Sequence, residues 1–583
     1  MMTIRDVRHH FILFRRLLPL GLLCGAIACQ PTAPPALETV KPAEPAWFRD
    51  ITAETGIDFV HDAGPTGSYF LPQIVGSGAA VFDCDGDGLH DLYLLTNGGP
   101  DAASTNRLFK QLPGGRFKDV SKGSGLDFGG FNMGVAVGDV DNDGRPDVLV
   151  TQYGGIRLFH NEGRGTFTEI GKRAGLNSPL WGTSSAFFDY DRDGWLDLVV
   201  VDYVDYDGSR PCTNARGQRD YCGPSSFDGT VTKLFHNLGS DARGVVHFED
   251  VTVSSGLSTV PGPGLGVACA DFDGDGWPDI FVSNDGKPNR LWINRKNGRF
   301  VEEAMLRGLA YNNMGLAQAG MGVAWGDVDG DGLFDVFVTH LTEETNTLWR
   351  QGPRGSFRDR SLASGTVEAS MRGTGFGVVL DDFDCDGLLD LAVVNGRVYL
   401  GPSRNESILG PYWSRFAEPN RLWRGTTNGQ FLDRSDSDPD FVGNGAVSRG
   451  LISVDLDDDG ALDLIATTVA GSVRVYRNVA SPRGHWLSVR AWDAKRRRDA
   501  YGAVVTVRSK GKRWVRWLNP ARGYLCSGDP RGHFGLGTVD SVDAIEIAWP
   551  DGSREEFRKL ATGEPIPVDR VISLSQGEGT PLP

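Results

Sequence analysis

The chain has 583 residues, 10% of them aromatic and 40% hydrophobic, with 78 glycines. That length exceeds one ordinary core, so several domains or a repeat array are expected, and the composition is that of an ordered, turn-rich protein. A formal net charge of −16 argues against a general nucleic-acid binder.

In chain order, the first segment is not part of the fold. Arg5, Arg8, Arg15 and Arg16 precede the apolar run LLPLGLLCGAIA at 17–28. That run is short for a bilayer span and reads as a signal-peptide core, so 1–28 is expected to be removed. Ala26-Ile27-Ala28-Cys29 resembles a bacterial lipobox, which would make Cys29 the lipidated first residue of the mature chain; a plain cleaved signal is the alternative. Gln30 is not the aspartate associated with inner-membrane retention, which points to the outer membrane if the host has one. Residues 29–46 are a Pro/Ala-rich tether.

From 47 to 481 one unit recurs. Its mark is D-x-D-x-D-G-x-x-D, beginning at 83, 139, 189, 271, 327, 382 and 455. An apolar, β-branched run follows each loop, such as LVVV (198–201), and reads as a strand buried on both faces. Next comes a strand such as NRLFKQ (106–111) or IRLFHN (156–161). A Gly-x-Phe strand such as GRFKDV (115–120) closes the unit. Six copies of that last strand follow their loops, and the seventh stands at the front as AWFRDI (46–51). An N-terminal strand that completes the last sheet closes a ring. The expected fold is therefore all-β: a seven-bladed β-propeller followed by a small β-rich C-terminal domain. An open β-solenoid is the competing architecture.

The spacing of the aspartates is that of a hard-cation site. Carboxylates at positions 1, 3 and 5 converge when glycine at 6 permits a sharp turn; the carbonyl at 7 and the aspartate at 9 add oxygens. Oxygen-only ligation by six or seven atoms suits Ca²⁺ better than zinc. The candidate ligands are Asp83, Asp85, Asp87, Leu89 and Asp91; Asp139, Asp141, Asp143, Arg145 and Asp147; Asp189, Asp191, Asp193, Trp195 and Asp197; Asp271, Asp273, Asp275, Trp277 and Asp279; Asp327, Asp329, Asp331, Leu333 and Asp335; Asp382, Asp384, Asp386, Leu388 and Asp390; and Asp455, Asp457, Asp459, Ala461 and Asp463. The first half of each loop mimics an EF-hand, but position 12 is not glutamate (Leu94, Val150) and a strand follows in place of a helix. Up to seven structural Ca²⁺ ions would set +14 against the −16, so the acidity belongs mainly to the sites.

These loops, with the Gly-Ala/Val runs before them (GSGAAVFD, 76–83; GMGVAWGD, 320–327), resemble the FG-GAP/VCBS repeats of integrin α-subunit propellers. The order along the chain is similar to that of bacterial proteins of the cartilage acidic protein family, in which a propeller precedes an ASPIC/UnbV domain. GHWLSVRAWD (484–493), YGAVVTVRSKGK (501–512), ARGYLCSGDP (521–530), HFGLG (533–537) and IAWPDGS (547–553) resemble that domain, expected over 482–578 with a tail at 579–583. The resemblance implies a secreted, calcium-binding extracellular protein. Between 483 and 578 there are 17 Lys and Arg against 12 Asp and Glu. KRRR (495–498) and KGKRWVR (510–516) are basic clusters suited to docking on an acidic neighbour, or to lipid phosphate or anionic polysaccharide.

Cys212 and Cys222 lie ten residues apart in the insertion after the third loop and are a disulfide candidate in an oxidising compartment. Cys84 and Cys385 occupy loop positions 2 and 4, and Cys269 and Cys526 have no evident partner. No catalytic site is assigned: the sequence has no G-x-S-x-G elbow, HExxH or P-loop. His340, Asn395, Asn284 and Asp285 follow loop-adjacent strands and could meet at the ring's mouth. The insertions 203–231 and 396–419 would decorate one face. The expected function is an extracytoplasmic, lipid-anchored or secreted binding or adhesion module with an extracellular protein or glycan partner and no nucleic acid. An enzyme, or an envelope-assembly factor, working at the propeller mouth is the alternative.

Overall fold

The computed structural model describes residues 44–242, 244–443 and 445–582. The expected signal peptide, Cys29 and nearly all of the tether lie outside the described residues. Seven sheets with four antiparallel strands each follow one another, each built around one aspartate loop, and two strands from residues 521–527 extend the first to six. In the second, Asn132–Gly138, Asp147–Gln152, Gly155–Gly163 and Thr166–Glu169 run from the axis outward. The loop joins the first strand to the second, and the second is buried along nearly its whole length, as its β-branched sequence requires. Each innermost strand touches those of the sheets before and after it, and the seventh touches the first. The outermost strand of the seventh sheet is Phe48–Asp50, paired antiparallel with Arg474–Asn478. The ring is thus closed by hydrogen bonds between residues 48–50 and 476–478.

Residues after 482 form two further sheets. One places His485–Asp493 between Gly532–Gly537 and a parallel Arg570–Ser575. The other carries Lys512–Trp517, Val504–Ser509, Ala544–Ala548 and Arg554–Phe557 in order. Leu487, Val489, Val505, Phe534, Ile545 and Ile547 fill the space between them. Within the expected tail, Thr580 and Pro581 pair with Glu556 and Glu555 and add a fifth strand to the second sheet.

This region does not stand apart from the ring. Glu44–Pro583 is one compact unit. From the C-terminal region a hairpin, residues 521–527, enters the ring's axis. Ser527 pairs with Ala80 of the first sheet, Gly523 bridges Val323 of the fifth, and the Val135 N–H of the second donates to the Leu525 carbonyl. Tyr524 is fully buried against Phe376, and its hydroxyl donates to the Val75 carbonyl at 3.2 Å. Two inner-strand glycines make room: a side chain on Gly78 would run into the Leu525 carbonyl, and one on Gly450 into the Cys526 sulfur.

The axis is therefore filled. Tyr524, Leu525, Ile74, Met133, Trp181, Leu265, Met321 and Phe376 form one buried cluster there. The fully buried Arg449 stacks on Phe376 at 3.8 Å and donates to the carbonyls of Ile74, Ser448 and Gly396. The C-terminal hairpin occupies the axis beneath the mouth, where the alternative reading places an enzyme or envelope-assembly site. His340 is buried with neither ring nitrogen bonded among the described residues. Asn284 and Asn395 cap nearby carbonyls, and Asp285 accepts from the Tyr203 hydroxyl at 2.6 Å. The two insertions meet on the end of the ring away from the loops, where the Tyr412 hydroxyl reaches that of Tyr221 at 3.2 Å. Cys212 and Cys222 are joined by a disulfide.

Because the plug ties the ring to the C-terminal sheets, the full chain should melt in a single calorimetric transition. Replacing Tyr524 by alanine should lower stability by about 3–5 kcal/mol, the usual cost of emptying a buried aromatic site, read as a shift of the urea midpoint. Two separated transitions would contradict the coupling.

Candidate metal centres

All seven loops adopt one conformation. Positions 4 and 6 are left-handed in every copy: Gly88, Gly144, Gly194, Gly276, Gly332, Gly387 and Gly460 have φ between 82° and 95°. Only glycine takes that conformation without strain. At position 4 three loops have glycine, while Asn142, Arg192, Cys385 and Asp458 accept φ of 53–64°.

The double turn points the position-6 amide inward. It donates to the position-1 carboxylate at 2.7–3.0 Å in all seven copies. The position-7 amides of Leu89, Arg145, Trp195, Trp277, Leu333, Leu388 and Ala461 donate to the position-5 carboxylate at 2.8–3.0 Å. Carboxylates 1, 3 and 9 come together: in Asp83–Asp85–Asp91, Asp139–Asp141–Asp147 and Asp189–Asp191–Asp197 one oxygen from each lies within 4.8 Å of the others.

Position 9 has a second task. Oδ1 of Asp91 accepts from the Gln111 amide at 2.8 Å and Oδ2 from the Cys84 amide at 2.9 Å. Asp147, Asp197, Asp279, Asp335 and Asp390 repeat both bonds. One carboxylate thus ties the loop, the second strand and the third strand together, and still has lone pairs for a cation.

Not every loop oxygen is satisfied. One buried carboxylate oxygen of each of Asp85, Asp189, Asp327, Asp384 and Asp463 has no hydrogen-bond partner among the described residues. Asp189, Asp384 and Asp463 are each more than nine-tenths buried. An orphaned anionic oxygen in a protein interior is costly, and a divalent cation at the centre of the loop would satisfy all five. The donor set fits a hard cation with oxygen ligands.

A model described as "FG-GAP-like repeat" matches residues 83–150, 139–200, 271–338 and 327–393. A second, "ASPIC and UnbV", matches 493–581. The chain carries FG-GAP-like repeats and a C-terminal ASPIC/UnbV domain. Cartilage acidic protein 1 is 28% identical over 59% of this chain in Xenopus tropicalis and 29% over 58% in Homo sapiens. In both cases the chain spans about half the length of the relative it matches. Among solved structures, YCF48 bound to a D1 peptide matches over 76% of this chain and all of its own, at 7% identity and a TM-score of 0.41. The V. cholerae biofilm matrix protein Bap1 matches over 89% and 77%, at 13% and 0.29. Likenesses this distant carry no argument, and the architecture of the FG-GAP ring is read from its own sheets.

In this FG-GAP protein two sets of residues escape the loop motif. The first is the Asn or Gln that ends the third strand. Asn161 donates to the Cys84 carbonyl of the preceding loop at 3.1 Å, Asn237 to Val140 at 2.8 Å and Asn294 to Tyr190 at 2.8 Å. Gln351 reaches Phe272 at 3.0 Å, Asn478 reaches Phe383 at 2.8 Å, and Gln111 crosses the seam to Leu456 at 2.6 Å. Each sheet so holds the loop of its neighbour; in the sixth, Gly425 stands at this place and has no side chain to do it. The signal lies in the strands themselves, which end KQ, HN, IN, RQ or RN.

The second set is the basic residue before that amide. Lys110 pairs with Asp85 and Asp87, His160 with Asp141 at 3.1 Å, and His236 with Asp197 at 3.0 Å and Asp191 at 3.6 Å. Arg350 pairs with Asp329, Arg424 with Asp384 and Asp386 at 2.9 Å, and Arg477 with Asp457 at 2.9 Å. One such cation offsets part of the charge of six loops; in the fourth, Ile293 stands at this place and Arg307 approaches Asp273 at 3.0 Å. Hydrogen bonds to Asp141 and Asp143 raise His160 to about 11, and one to Asp197 raises His236 to about 9.

The remaining charge is felt by the carboxyls. Burial first, and neighbouring aspartates second, raise Asp139, Asp189 and Asp197 to about 7. Asp335 also stands at about 7, and Asp91 and Asp455 at about 6, chiefly through burial. Burial also pushes Asp147, Asp279, Asp382, Asp390 and Asp463 well above the ordinary carboxylate value.

A raised folded-state pKa means the metal-free folded chain binds more protons than the unfolded one between pH 4 and 7. Its stability is full below the unfolded value and falls as pH rises through the folded one. The metal-free protein should therefore melt lower at pH 8 than at pH 5. A metal-free melting curve that rises over this interval would refute the assignment of these carboxyls.

Proposed function

We propose that the chain is an extracytoplasmic binding module whose ring is made rigid by structural Ca²⁺ in its seven loops. The observation that carries this reading is the set of five buried, unpartnered carboxylate oxygens, one in each of five loops whose aspartates cluster. Zinc is a poorer fit, because the clusters pair carboxylates with backbone oxygens and contain no cysteine ligand; Cys84 and Cys385 sit at positions 2 and 4. Likeness to cartilage acidic protein 1 supports an extracellular setting, and the Cys212–Cys222 bond fits an oxidising compartment. We further infer that Cys29 is lipidated and tethers the module to the envelope, with an extracellular protein or glycan as its partner. The filled axis leaves recognition to the rims and faces of the ring, where the insertions 203–231 and 396–419 extend its surface.

Two measurements test this. Metal analysis of protein dialysed against Ca²⁺ should count up to seven ions, and excess EGTA should lower the melting temperature by more than 10 °C, since several kcal/mol of linked binding are lost; an unchanged melt would exclude structural calcium. Cys29→Ala should move the protein from the membrane fraction to the soluble one, and a variant that stays membrane-bound would exclude the anchor.

A further inference from the structure

The seven loops are chemically alike but differently covered. The C-terminal region sits across the loop face of the ring, and arginines of its basic clusters reach the loops there. Arg497 donates to the Asp143 carbonyl at 2.9 Å and Arg498 to the Asn142 side chain at 2.8 Å, both in the second loop. Arg496 and Arg498 reach the Asp193 and Gly194 carbonyls of the third at 3.4 and 3.2 Å. The sixth loop takes three bonds: Trp514 Nε1 to the Gly387 carbonyl at 3.2 Å, the Gly537 amide to Cys385 at 2.9 Å and the Gly484 amide to Asp384 at 3.1 Å. These donors use outward-facing carbonyls of positions 3 to 6, or the position-4 side chain, and leave the carboxylate oxygens to the loop interior.

The result is a division by exposure. The first, fourth, fifth and seventh loops each present three consecutive exposed residues at their tips: Gly86–Gly88, Gly274–Gly276, Asp329–Asp331 and Asp457–Asp459. In the second and third loops only Gly144 and Asp193 are exposed, and in the sixth none is. Arg513 touches the fifth loop, and the seventh is met by Arg531 at Asp458, by His533 at the Gly460 carbonyl and by Arg483 at Asp459, 3.3 Å away, yet Asp457–Asp459 stay exposed. The orphaned oxygens of Asp189 and Asp384, both in covered loops, show that covering does not use up the cation ligands.

We propose that the C-terminal region is a lid over the loop face that retains three of the seven cations, those of the second, third and sixth loops, and leaves the other four free to exchange with solvent. The proposal rests on the calcium reading above. A cation leaves a loop through its tip, because the opposite side is closed by the position-9 aspartate and the strands it ties. In a covered loop the tip opens only after the lid's hydrogen bonds break. A loaded loop of four carboxylates remains net negative, so the arginines of the lid are held by it and not expelled. Loop sequence carries the trace. Position 4 is glycine in three of the four open loops and Asn142, Arg192 or Cys385 in the covered ones, where a side chain or a neighbouring contact supports the turn; Asp458, in the open seventh loop, is bound by Arg531 at 2.9 Å.

The test is calcium release from the loaded, full-length protein into excess chelating dye, followed by stopped flow. Two phases are expected, four ions fast and three slow, with the slow phase about tenfold or more slower, equivalent to about 1.4 kcal/mol in the barrier. Replacing Arg496, Arg497 and Arg498 together by alanine should leave one ion in the slow phase, that of the sixth loop. Hydrogen exchange on the loaded wild-type protein supplies a readout independent of the variant: the tip amides of the second, third and sixth loops should exchange more slowly than those of the other four. A single release phase, a slow phase of another size, an unchanged slow phase in the folded variant, or uniform exchange of the tips overturns the lid. Failure of the calcium reading would look different, because equilibrium metal analysis would then find no bound ions.

Discussion

Clustered carboxylate charge in a low-dielectric setting is the constraint around which this protein is built. Four aspartates within nine residues repel one another, and burial makes the charged forms costlier still. The fold answers with donors that cannot be removed without undoing it. Position-6 and position-7 amides serve positions 1 and 5, and the position-9 carboxylate is held by amides of two different segments. Asp91, Asp147 and their equivalents therefore belong to the carboxylate cluster and to the sheet at once. The Asn or Gln beside each then passes the restraint to the next sheet, so loop geometry and ring closure are parts of one hydrogen-bond system.

A ring of seven sheets leaves a hole, and apolar inner strands cannot face an empty channel. Here the C-terminal hairpin fills it. Inner-strand glycines such as Gly78 and Gly450 let the hairpin backbone approach closely enough to bond with several sheets, and Tyr524 and Leu525 supply the apolar volume. The consequence is functional as well as structural. The axis, where a ligand pocket of a propeller would be sought, is a packed core. The surfaces left are the rims, the outer faces and the loop tips the C-terminal region does not cover.

Much of this was legible in local spacing. The seven D-x-D-x-D-G-x-x-D loops, the buried strands after them and the displaced strand at AWFRDI are read within one repeat or by counting copies, and Phe48–Asp50 indeed pairs with residues 476–478. The roles of Gln111 and Asn161 were not legible, although both stand in the strands that define the repeat. Their acceptors lie 345 and 77 residues away, and an amide side chain at a strand end looks the same whether it bonds or is hydrated. KRRR was equally ambiguous: four cations in a row suit an anionic polymer as well as an acidic neighbour, and only their contacts with Asn142, Asp143, Asp193 and Gly194 decide. The pairing of Thr580 and Pro581 was missed because two residues carry no periodicity.

The sequence by itself determined the repeat, the number of loops, the carboxylate spacing within them and the permuted strand, because each depends on residues only a few positions apart or on a count of copies. Tertiary structure alone decided that the axis is plugged, that the C-terminal region lies on the loop face, and which loops it covers. Those outcomes depend on close approach between segments hundreds of residues apart, where glycines admit a backbone and guanidinium groups find carbonyls, and no pattern along the chain encodes such a meeting.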